Sequence, residues 1–182
     1  MLEITVTIEP EKYDDENEEF IPPVTKTLTL EHSLVSISKW ESKWCKAFLS
    51  KREKTTEETI DYIKCMTLTR DVDPKVFDSL SDANISSIDQ YITAPMTATY
   101  LPDTSDDKKQ SKETVTSELI YYWMIALNIP FECKDWHLNR LLALIDVCNA
   151  KNAPPDKKGR KPNLDKRRAL NEARKAKHNS KG

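Results

Sequence analysis

Cys133 and His137 stand four residues apart, a spacing that sets two side chains on one face of a helix. A thiolate and an imidazole so placed could share a metal ion, or the imidazole could activate the thiol as a nucleophile. Neither use is completed. A zinc site needs at least three protein ligands, and no third ligand lies near this pair; His32 and His178 are remote in sequence, and Cys45, Cys65 and Cys148 form no Cys-x-x-Cys unit. Acyl transfer also needs an oxyanion hole, and nothing else in the sequence points to one. The carboxylates gather between Glu9 and Glu19, where they read as a solvated loop rather than an acid–base pair. The chain has two glycines, Gly159 and Gly182, and loops that cradle phosphate need glycine for close backbone approach. A Walker loop and a dinucleotide fingerprint are therefore excluded. The residue chemistry indicates no enzyme, no metal and no cofactor.

Behind those residues lie elements whose periodicity is readable. Leu2, Ile4, Val6 and Ile8 alternate with polar residues, the pattern of a half-buried strand. After the acidic loop of Glu9 to Glu19, Val24, Leu28 and Leu30 mark a second strand, giving an antiparallel pair over 2–30. Such a pair needs covering, by its own helices or by another subunit at its edge. From Ser33, a suitable N-cap, Leu34, Ile37, Trp40, Trp44 and Phe48 keep i+3/i+4 spacing. Thr55 and Glu58 form a capping box ahead of Ile60, Ile63 and Met66. Asp73-Pro74 opens a short helix to Leu80, and Asp82 opens another with Ile85, Ile88 and Ile92 as its stripe. The stretch of densest aliphatic pattern, SELIYYWMIALNIPFECKDWHLNRLLALIDVCN (117–149), is split by Pro130 into two helices and is the expected core. Its second half sets Leu138, Leu141, Leu142, Ile145 and Cys148 in line.

The expected fold is mainly α: about six helices in one helical domain over 1–155, with an N-terminal two-stranded β element and a flexible basic C-terminal tail over 156–182. The tail could form a helix between Leu164 and Lys177 once given a partner. Charge divides along the same line. Residues 156–182 hold eleven Lys/Arg against three Asp/Glu, a net of +8; the rest holds 17 against 27, a net of −10, and the two sum to the −2 of the whole chain. The tail has no aromatic residue on which a base could stack, so docking on an acidic protein surface and plain solvation both rank ahead of nucleic-acid binding. Scattered cysteines, the lack of a signal-like start and the lack of a run of ~20 apolar residues point to a soluble cytoplasmic protein.

Five stretches together resemble the tail assembly chaperones of long-tailed (siphovirus-type) bacteriophages of Gram-positive hosts: LEHSLVSISKWESKWCKAFLS, EETIDYIKCMTLTRDVDP, ITAPMTAT, the 117–149 run, and RRALNEARKAKHNSKG. The resemblance covers nearly the whole chain apart from the acidic loop and the polar linker after Pro102. It implies an assembly factor of the host cytoplasm that coats the tape measure protein, keeps it soluble, helps recruit tail-tube protein and is absent from the finished virion. It also implies self-association, and a longer form made by programmed frameshifting; Lys157-Lys158-Gly159 is the candidate slippage site. The family has no catalytic residues to transfer. Aromatic and arginine side chains dominate binding hot spots, so the candidate partner-binding residues are Trp40, Trp44, Trp123 and Trp136, with core packing as the competing role, and Lys166, Arg167, Arg168 and Arg174 in the tail. A structural virion protein, such as a head–tail connector or tail component, is the alternative function.

Overall fold

The computed structural model describes residues 1–15, 18–99 and 114–152. The chain divides into two units, Met1–Cys148 and Asn149–Gly182, and every element except the last turn of the final helix lies in the first. The basic tail, with Lys166, Arg167, Arg168 and Arg174, falls outside the described residues.

Strands β1 (Leu2–Glu9) and β4 (Val24–Leu30) pair antiparallel, with Leu2 opposite Leu30, Ile4 opposite Leu28 and Val6 opposite Lys26. Those positions face inward, and Ile4, Val6, Leu28 and Leu30 are buried while Glu3, Thr5 and Thr7 are exposed, the alternation that one covered face requires. The acidic stretch is not wholly a loop. Within it β2 (Lys12–Asp14) pairs with β3 (Glu19–Ile21), placing Tyr13 opposite Phe20. Aromatic residues favour pleated structure and pair across strands, which the run of acidic charge obscured. Two ladders, six α-helices and a 3-10 helix among the described residues make this a mixed helical fold, not a plainly mainly-α one.

Helix α1 (Leu34–Trp44) starts where expected: the Ser33 hydroxyl accepts from Ser36 N–H. It ends earlier than the apolar spacing implied. Cys45 takes a left-handed conformation (φ 51°) and its N–H donates to Glu41 C=O, so Phe48 lies beyond the helix and folds back into the core. Helix α2 (Thr56–Met66) carries the Thr55/Glu58 capping box. Helix α3 (Lys75–Asp78) is one turn, shorter than expected, with the Asp73 carboxylate accepting from Lys75 N–H. Helix α4 (Asp82–Thr93) is capped by Ser81 and Asn84 rather than by Asp82. Helix α5 (Ser117–Ala126) is capped by Thr116, and Asn128 turns left-handed (φ 53°) ahead of Pro130. The 3-10 helix Phe131–Asp135 then leads to helix α6 (Leu138–Asn152).

The core is not confined to the 117–149 hairpin. The inner face of β1 and β4 meets Leu34, Ile37 and Trp40 of α1 and Ile63 and Met66 of α2; Ile88, Ile120, Met124, Leu138 and Leu141 belong to the same cluster. Full burial of each such side chain contributes about 1.5–3 kcal/mol, which outweighs the cap contributions and fixes how the helices sit around the sheet.

Candidate functional site

Trp40 has no exposed surface, and its indole N–H donates to Glu58 C=O at 2.9 Å. Its ring stacks on Trp44 (6.1 Å) and meets Phe48 edge-on (5.2 Å). It is a core residue and leaves the set of candidate contacts. Trp44 is half-buried, with its indole N–H donating to Asp61 at 2.9 Å. Lys43 pairs with the same carboxylate, and these interactions hold the Asp61 carboxyl below its usual range against the opposing effect of burial. Trp123 is half-buried on the core side of α5. Trp136 is half-buried, and the Arg140 guanidinium covers its ring at 4.1 Å. Of the four tryptophans, Trp40 is buried and the other three are half-buried.

The free apolar surface lies one residue away. Helix α5, SELIYYWMIA, is apolar on nearly every side, a composition suited to a helix covered all round. Here one face is covered, by Ser117, Ile120 and Met124. Glu118, Tyr122, Ile125 and Ala126 form an exposed i, i+4, i+7, i+8 stripe, with Tyr122 62% and Ile125 64% exposed. Phe131, 52% exposed, extends the patch and stacks on Tyr121 at 5.6 Å. Contiguous apolar surface of this kind marks interaction sites, whereas single exposed apolar residues do not. The residue types single out Trp123 on this helix and not Tyr122 or Ile125, whose signal is their offsets of four and seven residues from Glu118.

A buried carboxylate holds this helix in place. Glu41, in the last turn of α1, accepts from Phe48 N–H at 2.7 Å through one oxygen and from Ser117 N–H at 2.7 Å through the other. The second contact puts negative charge at the N-terminus of α5, where the helix dipole favours it. Glu58 does similar work nearby: one oxygen accepts from Lys46 and Arg52, both at 2.8 Å, and the other from Thr55 N–H. Arg52 first and Lys46 second pull its carboxyl down to about 2.

His32 and His137, five ångströms apart by ring centroid (5.0 Å), sit at a buried crossing of the chain. Leu138 N–H donates to His32 C=O at 2.7 Å. His137 Nδ1 accepts from Asn139 N–H, so Nε2 carries the proton that it donates to Tyr91 C=O at 3.0 Å. The Asn139 amide donates to Ile92 C=O and Ala94 C=O, covering carbonyls left open at the end of α4. His32 Nδ1 meets the Tyr62 hydroxyl, and Tyr91 O–H donates to Glu31 at 2.7 Å. Burial, and secondarily His137, lowers His32 to about 4; burial also lowers His137. Both rings are thus neutral near pH 7, satisfied by neighbours and shielded from solvent, the condition of structural histidines rather than proton shuttles. The Cys133 thiol is buried and raised by that burial, which disfavours the nucleophilic thiolate. No group of three or more His, Cys, Asp or Glu among the described residues is placed to hold a metal ion.

Other concave surface is modest. A groove of about 550 Å³ between α2, α3 and α4 has Ile60, Phe77, Leu80 and Ile85 in its lining, with Lys54 and Asp78 at its margin. It lacks the converging polar groups that orient a small substrate. Among the described residues no helix is long and apolar enough to cross a membrane. No protein-family model matches the chain, and neither a curated protein nor a solved structure matches it.

Proposed function

We propose that this protein is a bacteriophage tail assembly chaperone, which binds the tape measure protein and promotes assembly of the tail tube. The observation that supports it best is the α5 stripe: Tyr122, Ile125 and Phe131 offer an apolar surface to a partner. A tape measure protein is a long helical client with apolar faces, and an amphipathic helix seats its i, i+3, i+4, i+7 positions against such a surface. The resemblance of five separate stretches of the chain to this family supplies the identity of the client. In this reading the protein acts in the host cytoplasm on the unassembled client, recruits tail-tube protein to it and leaves before the virion is complete.

The test is co-expression with the tape measure protein of the same gene cluster, comparing the native chain with Ile125→Asp. A charge in the centre of the stripe should abolish recovery of soluble client. Because Ile125 is exposed, it should leave the fold intact, with stability changed by no more than about 0.5 kcal/mol. Equal client recovery with the variant would overturn the assignment of the surface. Client that stays insoluble even with the native chain would overturn the function.

A further inference from the structure

The β2–β3 ladder carries a second exposed apolar surface. Tyr13 and Phe20 face each other across it with ring centroids 4.9 Å apart, yet are 50% and 70% exposed. Ile21 and Val24, which follow, are also exposed. An isolated two-stranded ladder is marginal in water, and this one works against its own charge. Residues 9–19 contain seven carboxylates and one lysine, a net of −6, and Lys12 is engaged by Glu9 at 3.1 Å. Both deficits, the uncovered aromatics and the excess negative charge, would be met by a basic segment that also carries apolar side chains.

The sequence contains one such segment. Residues 156–182 bear a net charge of +8 with Leu164 and Leu170 among the basic residues. We propose that this basic segment of one copy docks on the aromatic, acidic β2–β3 ladder of a second copy. The donor and acceptor surfaces differ, so the contact is heterologous: it closes when two copies exchange segments reciprocally, and otherwise continues from copy to copy. The contact rests on charge and exposure alone and is independent of whether the α5 stripe binds a client. Lysine and arginine dominate the segment, so its encounter with the ladder is electrostatically steered and sensitive to salt.

A charge-swap experiment tests this without any client. One full-length variant cancels the donor's net charge (Lys166→Glu, Arg167→Glu, Arg168→Glu, Arg174→Glu); a second cancels the acceptor's (Glu11→Lys, Glu18→Lys, Glu19→Lys). Sedimentation of the native chain should show concentration-dependent association that weakens by at least about tenfold between about 50 and about 500 mM salt. Each variant alone should be monomeric, since one of the two attracting surfaces then carries no net charge. Mixed together they should associate again, because the unaltered basic segment of the acceptor variant meets the unaltered acidic ladder of the donor variant. Phe20→Ser in the native background should also weaken association while leaving the circular dichroism unchanged, since the ring is exposed. A native chain that is monomeric throughout, variants that do not restore association on mixing, or association indifferent to Phe20→Ser and salt would each overturn the proposal. A monomeric native chain in which cancelling the tail's charge perturbs the ladder would mean docking within one molecule, and would overturn it equally. Client recovery is unaffected by any of these outcomes, so this contact and the chaperone reading fail separately.

Discussion

Replacing Glu41 by alanine should strongly destabilise the fold. The carboxylate is buried, and its two oxygens satisfy the N–H groups of Phe48 and Ser117, 76 residues apart in the Glu41–Ser117 contact. Alanine leaves both donors without an acceptor where Ser117 has no solvent exposure. Each orphaned buried donor costs about 1–3 kcal/mol, so the pair costs about 2–6 kcal/mol, a large part of the ~5–15 kcal/mol that holds a domain folded. Glutamine keeps one carbonyl oxygen and turns an NH₂ group toward the other donor, so Glu41→Gln should lose about half as much. Urea denaturation followed by tryptophan fluorescence measures both, because Trp40 and Trp44 lie on the same helix. Amide exchange supplies an independent readout: protection at Phe48 and Ser117 should fall first. A loss below about 1 kcal/mol for the alanine variant, or glutamine and alanine variants of equal stability, would refute the account of how α5 is anchored.

Acid should weaken the fold through His32. Its folded value of about 4 lies below the ordinary 6.5, so the unfolded chain takes up a proton first as pH falls. The associated stability is complete above about pH 6.5, falls by about 2 kcal/mol by about pH 5, and is spent near pH 4 after a total of about 3 kcal/mol. His137, shifted the same way, deepens the slope, and His32→Gln should flatten it; a pH-independent stability between about pH 7 and about pH 5 would contradict this. Trp40→Ala should cost about 3–5 kcal/mol as a large core truncation, whereas Tyr122→Ala should stay within about 0.5 kcal/mol. Equal costs in the same urea series would contradict the two faces assigned here.

Local rules carried far in this chain. Ser33 and Thr55 with Glu58 cap helices as their residue types demand, and the alternation of Leu2, Ile4 and Val6 gives a strand with one buried face. What local pattern could not reach was set by partners distant in sequence. Nothing in the local sequence marks Glu41 as buried; its carboxylate is held by the N–H groups of Phe48 and Ser117. Cys45 ends α1 in a conformation that glycine usually takes, so neither composition nor spacing marked the stop before Phe48. Tyr13 and Phe20 were hidden in acidic sequence because their ladder depends on cross-strand pairing rather than on apolar alternation. Residue type alone also did not separate the tryptophans: Trp40 is fully buried, whereas Trp136 is half-buried beneath the Arg140 guanidinium. The exposed stripe on α5 became visible only once it was settled which side of an all-apolar helix faces the core.

The chaperone reading is tested most directly by the soluble yield of tape measure protein on co-expression with the native chain, with Ile125→Asp, and without either. The account predicts soluble client in a stable complex with the native chain and insoluble client in the other two. Client solubilised equally by the native chain and the variant, or by neither, would contradict it.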